Sequence, residues 1–193
     1  MSVQKIETVK ASRKDQGKCS KCGDALPAGT GYLYWYPGFR SKYKIVRCLK
    51  SECFPRPSER ETSKSATILA AQEAFHDSIG GQDSPDDIEA AVQEVADAVR
   101  EVADEYQEAL DQWENGNEQL QEKVDTYESS ASEIEGWSWD GASEPDHCDE
   151  HGSRSDWEQD EIDACKDCQE KREEWLEECR DAAREVVDNV ELA

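Results

Sequence analysis

The sequence predicts an α+β chain: a small β-hairpin module, then a mostly helical acidic body built from an antiparallel helical hairpin and a C-terminal helix. Three observations carry that expectation. Four of the eight cysteines stand as Cys19-x2-Cys22 and Cys48-x4-Cys53 around the aromatic run Tyr32-Leu33-Tyr34-Trp35-Tyr36. From Ile88 to Trp113, apolar residues return at alternating steps of four and three, the seam of a packed helix. Charge also splits along the chain. Residues 1–60 hold 13 Lys and Arg against 5 Asp and Glu, a balance of +8, and the remaining 133 hold 9 against 41, a balance of −32. A basic head precedes an acidic body, which suits different partners for the two parts. With 36% hydrophobic residues among 193, one large core is not expected.

Residues 1–17 are polar and carry Lys5, Lys10, Arg13 and Lys14. They contain no apolar run of the signal-peptide kind and read as a flexible basic arm. No later stretch has the length and hydropathy of a membrane span, so no membrane partner is expected.

Residues 18–60 read as a metal-binding module. Two cysteines separated by two residues on a tight turn can offer both thiolates to one ion, and Gly23 after Cys22 suits that turn. The wider Cys48–Cys53 spacing requires a small loop or helical turn between them. Structural disulfides, buried free thiols and a catalytic dithiol compete with this reading. A reducing compartment disfavours disulfides, and a redox dithiol ordinarily opens a helix in a βαβ setting that is absent here. The favoured reading is one Zn2+ held by Cys19, Cys22, Cys48 and Cys53, a closed set with no open position for catalysis.

Between the two pairs, 27–31 reads as turn residues and 31–36 as a strand. Alternation places Tyr32, Tyr34 and Tyr36 on one face, with Leu33 and Trp35 on the other. Pro37-Gly38 turns the chain, and 39–47 returns as a second strand bearing Arg40, Lys42, Lys44 and Arg47. These aromatics either pack a small module or stack bases beside phosphate-binding cations. The nucleic-acid candidates are Tyr34, Trp35, Tyr36, Arg40, Lys42, Lys44, Arg47 and Lys50.

The body, residues 61–136, begins with a short helix over 66–79 that turns Leu69, Phe75 and Ile79 inward and stops at Gly80-Gly81. Ser84 is a good N-cap, Pro85 suits the first helical position, and Asp86 and Asp87 complement the positive helix end. The helix from 88 to 113 carries Val92, Val95, Val99, Val102 and Tyr106 on its seam. Ala91, Ala96, Ala98 and Ala103 widen that face, which favours an antiparallel hairpin with a helix over 118–135. Homodimerisation through the same face is the second choice.

Residues 137–156 read as an acidic linker and 157–193 as a C-terminal acidic helix, with Ile162, Cys165, Leu176, Cys179, Ala183, Val186 and Val190 on one stripe. Cys148-x2-His151 followed by Cys165-x2-Cys168 spells a second metal set. Against it, cysteine on a helix stripe behaves as a small apolar residue.

No nucleophile elbow, Walker loop, metalloprotease helix or dinucleotide turn is present, and three histidines offer little for acyl transfer. A non-enzymatic role is expected, with a metal-dependent nuclease built from scattered carboxylates as the catalytic alternative.

The run KASRKDQGKCSKCGDALPAGTGYLYWYPGFRSKYKIVRC, with the later RPSE, TSK, AAQEA and DDIEAAVQEVADAVREVADEYQEA, resembles a family of small zinc-ribbon-like proteins encoded by phages of actinobacteria. The resemblance spans about residues 5–137. It implies a cytoplasmic protein of an infected bacterium and brings no established activity. The cysteines at 148, 165, 168 and 179 lie outside its pattern. Two function classes follow. In one, the head binds nucleic acid while the helical body recruits a host or phage protein. In the other, acidic rows such as Glu94, Asp97, Glu101, Asp104, Glu105 and Glu108 imitate a phosphate backbone and occupy a host DNA-binding protein. Masking of the basic head by the acidic body is a third arrangement.

Overall fold

The tyrosine run becomes the central strand of a three-stranded antiparallel sheet in the computed structural model, which describes residues 3–38, 41–114, 116–145 and 165–193. β2 (Tyr32–Trp35) pairs with β1 (Glu7–Val9) on one side and β3 (Ile45–Cys48) on the other. Directly opposed residues share a face, so register sorts the side chains. Val9, Tyr32 and Cys48 align, as do Glu7, Tyr34 and Val46. On the opposite face, Leu33 aligns with Thr8 and Arg47, and Trp35 with Ile45. Sheet and helices together make the expected α+β chain, divided into two compact units: residues 1–70 with 192–193, and residues 71–191.

The expected flexible arm is instead part of the first unit. Besides the β1 ladder, the Gln4 amide donates to the Arg60 carbonyl at 3.1 Å and the Ser12 amide to the Thr30 carbonyl at 2.9 Å. Glu7-Thr8-Val9 is too short and polar to announce a strand, and its hydrogen bonds come from a partner distant in sequence. Gly31 permits the close approach. A Cβ there would meet Leu49 Cδ1 at 2.6 Å and the Lys10 carbonyl oxygen at 3.0 Å. The return strand is also shorter than expected among the described residues, because pairing begins only at Ile45 and leaves 41–44 outside the sheet.

After β3 come α1 (Pro57–Arg60) and α2 (Ser65–Ser78). α2 buries Ile68 and Phe75, and Ile79 is buried just beyond it. Leu69, expected inward, is half-buried because the stripe runs one residue earlier.

α3 (Pro85–Asp111) starts as its residues dictate: Ser84 Oγ accepts the Asp87 amide at 3.2 Å, and Pro85 needs no partner for an N–H it lacks. It ends before Trp113, which leaves the seam and lies 57% exposed. α4 (Glu118–Glu135) is capped by Asn117, whose Oδ1 accepts the Leu120 amide at 3.2 Å. The two helices form the antiparallel hairpin. Tyr106 and Tyr127 stack with centroids 5.7 Å apart, and Arg100 makes a bidentate pair with Glu135 at 3.0 and 2.5 Å.

α5 (Lys166–Asp188) lies in the second unit and packs against α3. It buries Trp175, Leu176, Cys179, Ala183 and Val187. Val187 takes the inward place expected of Val186; the expected stretch of helix over 157–164 lies outside the described residues, as does all of 146–164. Arg180, 2% exposed, reaches Glu173 at 2.6 Å, Glu177 at 3.0 Å and the Gln82 carbonyl at 2.8 Å. The segment read as linker is tied down where described. The Trp139 amide donates to Glu89, and Trp175 Nε1 donates to the Ala142 carbonyl at 2.6 Å.

Val92, Val95, Val99, Val102 and Tyr106, the residues expected to serve a protein interaction, are buried inside the chain, where α3 packs along both α4 and α5. Truncating Tyr127 would empty the fully buried centre of this packing. Tyr127→Ala is expected to lower the stability of the helical unit by about 3–5 kcal/mol, read as a lower urea midpoint in helical circular dichroism.

Candidate metal centre

Each half of the cysteine set is positioned by its own local turn. Cys19 and Cys22 lie on a tight hairpin closed by a bridge between Lys18 and Ala25. The Cys19 amide donates to the Asp24 carbonyl at 2.8 Å, and the Gly23 amide donates to the Cys19 carbonyl at 3.0 Å. Gly23 takes φ +79°, a conformation that glycine enters without steric cost. The Ser20 amide donates to the Val46 carbonyl at 2.9 Å, fixing this turn to the edge of β3.

Cys48 ends β3, opposite Tyr32. Two residues further on the chain makes a single 3-10 turn, Ser51–Cys53, in which the Cys53 amide donates to the Lys50 carbonyl at 2.9 Å. That turn absorbs the wider spacing.

All four Sγ atoms lie within 4.8 Å of one another, and Cys22 Sγ is 3.7 Å from Cys48 Sγ. Sulfurs at the corners of a tetrahedron around a metal about 2.3 Å away would be about 3.8 Å apart, whereas a disulfide needs about 2.05 Å. The four are free thiols arranged so that they could hold a metal ion. Cys19, Cys48 and Cys53 are buried and Cys22 is exposed, so the cluster opens to solvent at one corner.

The thiols are electrostatically unequal. Burial pushes Cys19 up, but backbone hydrogen bonds from Cys22, Cys48 and Lys21 outweigh it and bring the thiol down to about 6. Burial, reinforced by hydrogen bonds with the other three thiols, pushes Cys53 up to about 12. A cation would have to displace the protons that remain.

The basic residues nearby are largely committed to the fold. Arg47 is buried, with its guanidinium 5.0 Å from the Trp35 ring and bidentate to Glu59 at 2.9 and 2.5 Å. The Arg47 hydrogen bond holds the Glu59 carboxyl down to about 2, against partial burial that would raise it, and the Arg56 amide assists. Lys50 pairs with Asp24 at 2.6 Å on the surface.

The nucleic-acid candidates therefore separate. Trp35, 1% exposed, and Arg47 are interior groups and leave the set: the ring is under the guanidinium, and the guanidinium is engaged by Glu59. Tyr34 is half-buried, Tyr36 is 45% exposed, and Lys42 and Lys44 are exposed. Lys44 Nζ lies 5.0 and 5.2 Å from the Tyr32 and Tyr34 centroids and donates to Gln16 Oε1 at 2.6 Å. Arg40 lies outside the described residues. Tyr43, 82% exposed, was missed by sequence reasoning, although its place between two lysines was a usable signal.

In the second candidate set, Cys148 and His151 lie outside the described residues. Cys165 takes the N-cap position of α5 and Cys168 follows on its first turn. Among the described residues, the N-terminal four cysteines form the only metal-competent cluster. No helix of the described residues is long and apolar enough to cross a membrane.

Comparison with protein-family models, curated proteins and solved structures gives no match. The functional argument rests on the residues.

Glu59 touches none of the sulfurs, which gives a test separating fold from ligation. Glu59→Gln is expected to cost the N-terminal unit about 2 kcal/mol, seen as a lower melting midpoint, with metal stoichiometry unchanged.

Proposed function

We propose that the N-terminal unit is a zinc-binding module that contacts nucleic acid, within a non-enzymatic adaptor whose acidic helical body engages a protein. The mutual approach of the four sulfurs carries the metal half of this reading. Four thiolates in a tetrahedron suit Zn2+ and leave it no vacant position for a substrate or water. The nucleic-acid half is supported by the +8 balance of residues 1–60 and by the exposure of Tyr36, Lys42, Tyr43 and Lys44. In line with the family resemblance, the protein partner is a host or phage component and the setting is the cytoplasm of an infected bacterium.

Elemental analysis of freshly purified protein is expected to find one zinc per chain, lost together in a Cys19→Ser, Cys53→Ser variant. A chelator should melt the N-terminal unit and leave the helical circular dichroism of α3, α4 and α5 largely intact. Metal-free protein, or a coloured iron centre, would sink the assignment. For the nucleic-acid half, the full chain is expected to retard nucleic acid at low salt, with affinity falling steeply as salt rises. No retardation at low salt counts decisively against it.

A second reading draws on α3, where Glu94, Asp97, Glu101, Asp104, Glu105 and Glu108 are all exposed. In it the acidic body mimics a phosphate backbone. Nuclease-resistant co-purification with a DNA-binding protein, abolished by neutralising those positions, would favour it over the first.

A further inference from the structure

We infer that Cys22 is an oxidation site: a peroxide converts its sulfur to a sulfenic acid, Cys48 closes it into a disulfide, and the metal is released. The inference rests on the zinc reading above and concerns how that same site is regulated.

Access selects Cys22. Cys19, Cys48 and Cys53 are only 3%, 8% and 0% exposed, whereas Cys22 stands at the open corner of the cluster. An oxidant arriving from solvent therefore meets one sulfur of the four. Cysteine oxidation follows thiolate character and exposure, and a cysteine that ligates a metal is a thiolate.

Reach selects Cys48. Cys22 Sγ already lies 3.7 Å from Cys48 Sγ. The two segments are also joined two residues earlier on each, where the Ser20 amide donates to the Val46 carbonyl at 2.9 Å. A Cys22–Cys48 link would thus fasten pieces of chain that the fold has set side by side. Pairing Cys22 with Cys19 instead would close a small ring across their own turn, against the Cys19–Asp24 and Gly23–Cys19 hydrogen bonds that shape it. Cys53 is fully buried on its 3-10 turn.

The chemistry takes two steps. The Cys22 thiolate attacks one peroxide oxygen, the O–O bond breaks, and hydroxide leaves. The Cys48 thiolate then attacks the Cys22 sulfur, forming the S–S bond as the S–O bond breaks and a second hydroxide leaves. Two electrons have passed from the two sulfurs to the peroxide, and two protons turn the hydroxides to water. Cys19 and Cys53 remain, half of a closed four-thiolate set, and take up protons as the metal departs. The turn before β2 stays fastened to the end of β3, and the 3-10 turn that carries Cys53 loses its tie.

The test treats full-length, reduced, zinc-loaded protein with hydrogen peroxide. Zinc release is followed with a chromophoric chelator, and disulfides are mapped by mass spectrometry of unreduced peptides. Loss of the zinc is expected in step with a Cys22–Cys48 disulfide, with Cys19 and Cys53 left open to alkylation. Dithiothreitol and added zinc should restore the starting state. Cys22→His retains a fourth metal donor without the exposed sulfur, and is expected to keep its zinc through a peroxide dose that strips the unmutated chain. Zinc held by the unmutated chain under peroxide, a different first disulfide, or Cys22→His stripped equally fast overturns the inference and leaves the metal reading standing. Should Cys22→His bind no zinc, the disulfide map of the unmutated chain decides alone. Reduced protein that holds no zinc at the outset overturns both.

Discussion

The N-terminal unit depends on the convergence of four sulfurs. Its strands are three, four and four residues long, and sheets that small do not hold themselves together in water. What joins them is the cysteine cluster. It links the turn before β2, the last residue of β3 and the 3-10 turn beyond, three places with no regular pairing between them. The cysteines are also much of the apolar interior, since Cys19, Cys48 and Cys53 share one cluster with Leu26 and Tyr32. A metal bound there would be held by the same side chains that form the core. In such a unit the free energy of binding a cation is folding free energy.

The helical unit is stabilised differently. Its interior is a stripe of valines and alanines on α3, closed by Val124, Tyr127 and Ala131 of α4 and by Leu176, Cys179 and Ala183 of α5. Arg180 brings polar groups into this interior and partners its two terminal nitrogens: one meets two carboxylates and the other satisfies the Gln82 carbonyl, which burial would otherwise leave costly, while Nε is buried without a partner. Nothing in this arrangement calls for a metal. The dense negative charge belongs to the outer faces, where carboxylates stay solvated.

The sequence made some of this plain and hid the rest for identifiable reasons. Helix limits were legible where capping chemistry is local: Ser84-Pro85 started α3, and Gly136 closed α4 at the expected residue. The approach of Cys19, Cys22, Cys48 and Cys53 was legible because cysteine spacing encodes a turn. β1 was not, since Glu7-Thr8-Val9 becomes a strand only through pairing with Tyr32, Leu33 and Tyr34. Nor was the fate of Arg47 and Trp35. Strand alternation gave their face, but the partner that buries the guanidinium is Glu59, twelve residues on and in another element. For the same reason a row of lysines and arginines in the sequence overstated the cationic surface. A charge pattern cannot reveal which members have an internal partner.

That distinction decides where binding can lie. Four thiolates around a dication would carry a net charge of about −2, which reduces the +8 of residues 1–60 to about +6 and places the negative charge at the cluster. Arg47 and Lys50 lie beside that cluster and are already engaged by Glu59 and Asp24. The surface over the sulfurs is thus nearly balanced and a poor attractor for an anion. Lys44, just before β3 and so at the opposite end of that strand from Cys48, lies over the Tyr32 and Tyr34 rings and donates to Gln16. A cation at the sulfurs would fix β2 and β3 from the Cys48 end. Its part would be structural: closed by four sulfurs, it would have no position left for a ligand.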